Sequence, residues 1–237
     1  MALDARRAAD DLEARLAALG TPERAEHERR YLKSELEHLG ATVWQIRRQV
    51  RAFTKQHADL THAELMQLVE ELWARPVHER RMAAVVALED FPAHIGPADL
   101  PLLERLVRES RTWALVDGLA AHVLGELLVR HPGAAPKLDR WAKDPDLWVR
   151  RSALLAQLEP LRAGAPFARF GRYADWMLDE PEFFIRKAIG WVLRETGKTR
   201  PAEVFQWLAP RAGRASGVTM REAVKYLPPE QRAALMP

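Results

Sequence analysis

The chain has 237 residues, of which 48% are hydrophobic, enough to bury a sizeable core as one elongated domain or two small ones. It contains no cysteine, which excludes disulfides, thiolate metal sites and a cysteine nucleophile. The formal net charge is only +3, but 29 of the 36 basic residues are arginine, the side chain that binds phosphate and stacks on flat groups. A GC-rich genome would produce the same bias, so only the positions of the arginines can indicate whether they bind phosphate.

No apolar segment follows Met1 to resemble a signal peptide, and no apolar run approaches the length of a membrane span. We therefore expect a cytoplasmic protein without a membrane partner.

Glycine and proline punctuate the chain, and between them apolar residues are spaced by three and four, as in LVEELWARP and LLERLVRES. Alternation of β-branched residues is missing, so the predicted fold class is all-α. In residues 1–60, LDARRAADDLEARLAALG and AEHERRYLKSELEHLG have the pattern of amphipathic helices. We predict that they cap the helical stack that follows.

From residue 61 onward, similar helix starts recur, at ERRMAAVVAL around Arg81, LVDGLAAHVL around Asp117, VRRSALLAQL around Arg151, IRKAIGWVL around Lys187 and MREAVKYL around Arg221. The intervals of 36, 34, 36 and 34 residues are typical of the two-helix units of a HEAT-like α-solenoid. We predict a single domain, residues 1–237, with repeats over 61–237. The second helix of each repeat would line a concave basic groove.

The aligned position is basic in four repeats and acidic in one, at Asp117. One interpretation is a row of salt bridges between repeats, with Asp117 paired to a neighbouring arginine such as Arg151. The other is a basic ladder that follows a phosphate backbone, with a single carboxylate facing the ligand. The pattern alone leaves both open.

Two tryptophans favour the ladder. Trp113 lies four residues before Asp117, on the same helix face, and Trp191 lies between Lys187 and Arg194 at helical spacings of four and three. A carboxylate among cations and indole faces can stabilise positive charge on a sugar or orient a water at C1′, the chemistry of N-glycosidic bond cleavage. The remaining tryptophans are interpreted as core or packing residues: Trp44, Trp73, Trp141, Trp176 and Trp207.

Other chemistries find little support in the sequence. The eight histidines lack a spacing such as HExxH, no glycine loop suited to phosphate occurs, and no Ser-His-Asp set can be recognised. We therefore expect neither a metal nor a cofactor.

Several long segments resemble one known family. RTWALVDGLAAHVLGELLVRHP, LWVRRSALLAQL and FFIRKAIGWVLRETGKTRP, in this order, are similar to the AlkD-like DNA glycosylases, bacterial HEAT-like-repeat enzymes that excise alkylated purines. The resemblance covers most of the chain. It implies that Asp117 is the catalytic carboxylate and that Trp113 and Trp191 pack about the deoxyribose of the lesion.

The resemblance also implies DNA-binding roles. Arg151 and Arg194 would hold phosphates near the lesion, and Tyr31, on an N-terminal helix, would touch the duplex. Lys187 and Arg81 join them as members of the basic ladder.

The implied reaction is hydrolysis of the glycosidic bond of cationic N3- or N7-alkylated purines in duplex DNA, with the base left stacked and not flipped into a pocket. A cationic base is a good leaving group, so no lysine nucleophile is needed and we expect no strand cleavage. An open groove needs no second subunit, which favours a monomer, and a bacterial repair enzyme would associate with the nucleoid.

The alternative functions are a non-catalytic HEAT-like-repeat protein that binds damaged or branched DNA and a protein-binding scaffold.

Overall fold

The computed structural model describes residues 3–236, so Met1, Ala2 and Pro237 of the predicted domain lie outside the described residues. Within residues 3–236 the chain is built of helices and their connections, without a β-strand, and one parallel bridge joins Glu37 to Val77. The predicted all-α class is confirmed.

The chain packs as two compact units, Met1–Leu119 and Ala120–Pro237. Whether they form one domain, as the sequence suggested, stays a prediction. In the described part of the first unit the α-helices are α1 (Ala5–Ala17), α2 (Pro22–Leu32), α3 (Val43–Gln56), α4 (His62–Ala74), α5 (His78–Asp90), α6 (Leu100–Ser110) and α7 (Trp113–Asp117).

A π-helical segment, Gly118–Leu124, follows α7 and leads into the helices of the second unit. These are α8 (Gly125–Arg130), α9 (Leu138–Trp141), α10 (Leu147–Leu155), α11 (Leu158–Arg162), α12 (Ala168–Met177), α13 (Phe183–Gly197), α14 (Pro201–Leu208), α15 (Gly217–Ala223) and α16 (Pro229–Leu235).

The second predicted N-terminal helix is shorter than its sequence pattern. It ends at Leu32, because Lys33 adopts a left-handed conformation with φ 48° and the Ser34 amide donates to the carbonyl of Arg29 at 3.0 Å. Residues 34–41 then form a connection to α3. The prediction of one continuous helix through this segment was therefore wrong at its C-terminal half.

A buried arginine joins three helices of the first unit. Arg80, on α5, is 2% exposed; it donates to the carboxylates of Asp10 and Glu13 on α1 and, at 2.9 Å, to the carbonyl of Glu71 on α4. Because a buried guanidinium without partners would be strongly destabilising, these bonds fix α1 and α4 against α5.

In the second unit, α13 packs between α10 and α15, in agreement with the repeat interval read from the sequence. Its apolar residues Ile185, Ile189, Val192 and Leu193 are buried. Close approach of α15 depends on Gly190, since a Cβ at this position would lie 2.8 Å from Glu222 Cβ and 3.1 Å from the carbonyl oxygen of Thr219.

The interpretation of the remaining tryptophans as packing residues holds in part. Trp73 and Trp141 are buried, and Trp207 packs against Phe167 and Phe170. Trp176, on α12, is 45% exposed but stacks on the buried Tyr173 at 5.8 Å. Trp44, at the start of α3, is 67% exposed, so for this residue the interpretation was wrong.

No helix within residues 3–236 combines the length and the apolar character that crossing a membrane requires. Over the same residues, no group of three or more histidine, aspartate and glutamate side chains is arranged to hold a metal ion.

Two histidines are stacked where the α2–α3 connection meets α5. The rings of His38 and His78 lie 4.6 Å apart at an interplanar angle of 7°. Next to them, the buried carboxylate of Glu79 accepts hydrogen bonds from the amides of Leu39 and Gly40 at 2.9 and 2.8 Å. Burial, followed by the charge of His38, lowers the pKa of His78 to about 3 from 6.5.

This pair predicts a loss of stability in mild acid. Because the folded pKa of His78 lies below its unfolded value, the unfolded state takes up the proton first, and stability falls as the pH drops below about 6.5. Between about pH 6.5 and pH 5 the loss from this group is on the order of 1–2 kcal/mol. Urea unfolding at both pH values should show a smaller loss for His78→Gln than for the wild type, and equal losses would contradict this origin.

Gly190→Ala should destabilise the second unit, although alanine favours a helix by about 1 kcal/mol. The added Cβ meets the backbone of Thr219 and the Cβ of Glu222, neither of which can rotate away, so we expect a net loss of about 1–2 kcal/mol. The matched control is Gly213→Ala, whose Cβ would meet no atom of the described residues within 4 Å. Thermal or urea unfolding of both variants measures the difference, and equal stabilities would contradict the close approach.

Candidate functional site

The predicted site residues belong to both units. The first unit carries Tyr31, Arg81, Trp113 and Asp117, and the second carries Arg151, Lys187, Trp191 and Arg194.

Tyr31 and Trp113 form an aromatic pair in the first unit. Their rings meet edge to face with centroids 5.8 Å apart, and Tyr31 remains 63% exposed at the end of α2. Each ring lies two residues from a left-handed non-glycine residue, Lys33 after Tyr31 and Arg111 before Trp113, both with φ 48°. Such conformations are uncommon outside glycine, and here they end α2 and precede α7. The contact between the two rings was not foreseen from the sequence.

Asp117 is the last residue of α7, at the junction where the helix changes to π-helical geometry. It is half-buried. The next residue, Gly118, lies so close to α5 that a Cβ there would be 2.7 Å from Val85 Cγ1. Isolated π-helical turns occur frequently at functional sites, and this segment begins directly after the predicted catalytic carboxylate. Helical periodicity in the sequence gives no sign of it.

Arg81 is held inside the first unit. Its guanidinium lies over the ring of Trp73 at 5.0 Å and its Nη1 donates to the carbonyl of Glu109 at 2.8 Å. Burial lowers the pKa of Arg81 from its ordinary value, against the opposing charge of Glu109. The side chain is partly accessible, and its DNA-binding role stays a prediction.

Arg151 is more deeply placed. It is 3% exposed on α10, donates to the backbone carbonyl of Phe184 and has its guanidinium 5.8 Å from the Phe184 ring centroid. Little of its surface is left for a phosphate in this conformation. The predicted phosphate contact of Arg151 is untested and would require this side chain to change partner.

The face of α13 that carries Lys187, Trp191 and Arg194 meets a carboxylate of α15. Lys187 Nζ donates to Glu222 Oε1 at 2.7 Å, and Arg194 Nη1 donates to Glu222 Oε2. Arg194 also contacts Glu195 at 3.2 Å, and Trp191, between the two cations, is half-buried. Both cations are therefore fixed by one acceptor on α15, the second helix after α13.

Glu222 is 8% exposed and remains ionised. Burial alone would raise its pKa, but hydrogen bonds from Lys187 and Lys225, together with the charges of Lys187 and Arg194, outweigh burial and lower the pKa to about 2. The aligned sequence position is the neighbouring Arg221, which is exposed, and Glu222 was not predicted from the sequence.

Three of the aligned cations thus make the same kind of contact. Arg81, Arg151 and Lys187 each bond to a later helix or helix end of their own unit, at Glu109, Phe184 and Glu222 respectively. This agrees with the first interpretation of the aligned position, bonds between repeats, for these three side chains. The predicted pairing of Asp117 with Arg151 and the basic groove stay predictions.

Three exposed aromatic rings, to which the sequence pattern gave no binding role, each have a cation over them. Arg48 lies 5.4 Å from the Trp44 ring, Lys143 lies 4.0 Å from Trp176 and Lys198 lies 5.0 Å from Tyr226. Exposed aromatic residues beside cations can stack on bases while the cations meet phosphates.

Comparison with solved structures identifies proteins of the same fold. A predicted DNA alkylation repair enzyme from Enterococcus faecalis is 22% identical, with a TM-score of 0.80 over 89% of this chain and 97% of that chain. AlkD2 from Streptococcus mutans is 17% identical, with a TM-score of 0.65 over 94% and 99%, and smu.31 from Streptococcus mutans UA159 is 18% identical, with 0.58 over 78% and 99%.

No curated protein matches the sequence significantly. The sequence does match a protein family, described as DNA alkylation repair enzyme, over residues 12–227. This range includes every predicted site residue and nearly the whole chain. The chain therefore belongs to the DNA alkylation repair enzyme family.

Proposed function

We propose that the chain is a monofunctional DNA glycosylase that hydrolyses the N-glycosidic bond of cationic N3- and N7-alkylated purines in duplex DNA, as the first step of base excision repair. The observation that carries the proposal is the family match over residues 12–227 in a chain that places the carboxylate of Asp117 one helical turn beyond Trp113.

The proposed reaction needs few functional groups from the protein. As the C1′–N bond breaks, both electrons go to the alkylated purine, which leaves as a neutral base because it was cationic before. The sugar becomes an oxocarbenium-like cation, and water adds at C1′ and releases a proton. Asp117 would stabilise the sugar cation or orient that water, and the indole face of Trp113 would stabilise the same positive centre. The resemblance assigns a contact with the deoxyribose to Trp191 of the second unit as well.

The surroundings of Lys187 support a monofunctional enzyme. Its Nζ is held in an ion pair with Glu222, whereas a lysine that forms a Schiff base with the sugar must present a neutral amine. A water nucleophile leaves the DNA strand intact. We propose that the base stays stacked in the duplex during this reaction, in contrast to glycosylases that extrude it.

The DNA-binding part of the proposal assigns backbone contacts to Arg194, Lys187, Arg81 and Arg151, and a duplex contact to Tyr31. Exposure supports Tyr31 most directly, since its ring projects from α2 beside Trp113. Phosphate contacts release counterions, so the affinity for DNA must fall as the salt concentration rises. The alternative of a protein-binding scaffold predicts no such salt-dependent affinity for DNA.

A second candidate is a non-catalytic protein that binds damaged or branched DNA. The three exposed aromatic rings with cations over them favour it, because such pairs can hold nucleic acid without any reaction. It predicts salt-sensitive DNA binding without release of any base.

The test is release of 7-methylguanine from a duplex that carries one such lesion, under single-turnover conditions. We expect the wild type to release the base with the strand intact and Asp117→Asn to be slower by roughly 10²–10³-fold, because the amide lacks the charge that stabilises the sugar cation. The matched control is Asp179→Asn, a carboxylate of the second unit that pairs with Arg214 and should leave the rate unchanged.

Binding of the same duplex, measured by fluorescence anisotropy over a range of salt concentrations, completes the test. Asp117→Asn should retain salt-sensitive affinity. Salt-sensitive binding without base release by the wild type would favour the non-catalytic candidate, and an Asp117→Asn protein with the wild-type rate would overturn the assignment of the carboxylate.

A further inference from the structure

The neighbourhood of Trp191 contains a carboxylate that no role yet explains. Glu222 reaches the cationic face of α13 from α15, next to Gly190, whose lack of a Cβ leaves room for the close approach of the two helices. It accepts from Lys187 at 2.7 Å through Oε1, and from Arg194 and, at 3.1 Å, Lys225 through Oε2. Both of its oxygens are therefore in use.

We propose that Glu222 is a positioning residue of the repair site: its carboxylate holds the cationic groups of Lys187 and Arg194, which stand one turn before and one turn after Trp191 on α13, and limits the attraction of this face for undamaged DNA. The proposal rests on the proposed function.

The positioning effect follows from geometry. Lys187, Trp191 and Arg194 lie at successive turns of one helix, and both cations end on the same carboxylate, so their long side chains lose most of their freedom. A cation already held in place costs less to order when a charged ligand arrives. The cations one turn before and one turn after Trp191 on α13 are thereby fixed.

The effect on affinity follows from charge. Three cations surround Glu222, so its single negative charge reduces their net charge to +2. A lower net positive charge attracts any phosphate backbone less strongly, whatever the DNA sequence and whether or not the DNA is damaged. A buried carboxylate at this place thus lowers non-specific binding while it improves the geometry at the lesion.

These two effects have opposite signs in one variant. In Glu222→Gln the side chain keeps its size but loses its charge and most of its hold on the cations. We expect several-fold tighter binding of undamaged duplex, with a salt dependence steeper by about one counterion, and roughly tenfold slower release of 7-methylguanine by saturating enzyme. Glu203→Gln, on α14, removes the same charge from a pair with Arg200 and should leave base release at the wild-type rate.

Glu222→Asp separates position from charge, since it keeps the charge but shortens the reach. It should bind undamaged duplex as the wild type does and still release the base more slowly. If Glu222→Gln lowers both affinity and release, or if Glu222→Gln and Glu203→Gln both tighten binding while release stays unchanged, the positioning role is overturned.

A readout without catalysis keeps this test independent of the proposed function. The measurement is the preference of each protein for a duplex with a tetrahydrofuran abasic-site analogue over an undamaged duplex. We expect Glu222→Gln to lose most of the preference that the wild type shows. Should the wild type release no base, the glycosylase function fails, while loss of preference in Glu222→Gln still supports the positioning role and an unchanged preference overturns it.

Discussion

A cation on one repeat that bonds to a later helix of the same unit is the interaction on which the packing near the candidate site depends. Arg81 reaches the carbonyl of Glu109, Arg151 reaches that of Phe184 and Lys187 reaches the carboxylate of Glu222. Charge-assisted hydrogen bonds of this kind contribute about 1.5–3 kcal/mol when they are shielded from water. They set the spacing of helices whose apolar faces alone could slide past one another.

The same bonds determine what the cations can offer to DNA. A guanidinium or ammonium that moves freely in solvent loses side-chain entropy when it binds a phosphate, whereas Lys187 and Arg194 are ordered in advance by Glu222. Arg151 lies at the other extreme, because its burial leaves little surface for a ligand. The structural and the DNA-binding interpretations of the aligned cations are therefore compatible. Contacts between helices order some of these cations for a phosphate and leave others with little accessible surface.

The all-α class and the repeat interval could be predicted because both follow from local spacing of apolar residues and glycine or proline breaks. Features set by contacts between distant segments could not. The end of α2 at Leu32 depends on a left-handed Lys33, and the exposure of Trp44 depends on which helix lies beside it. Glu222 was missed beside Arg221 because one residue along a helix turns the side chain by about 100°, and only the packing of α15 on α13 decides which of the two points inward.

The dependence of base release on the charge of the leaving group tests the electrostatic mechanism most directly. The measurement compares single-turnover release of cationic 7-methylguanine and of neutral hypoxanthine from the same position of the same duplex. A carboxylate that only stabilises the sugar cation predicts release of 7-methylguanine, with no detectable release of hypoxanthine and no strand cleavage. Comparable release of both bases, or strand cleavage coupled to release, would contradict it.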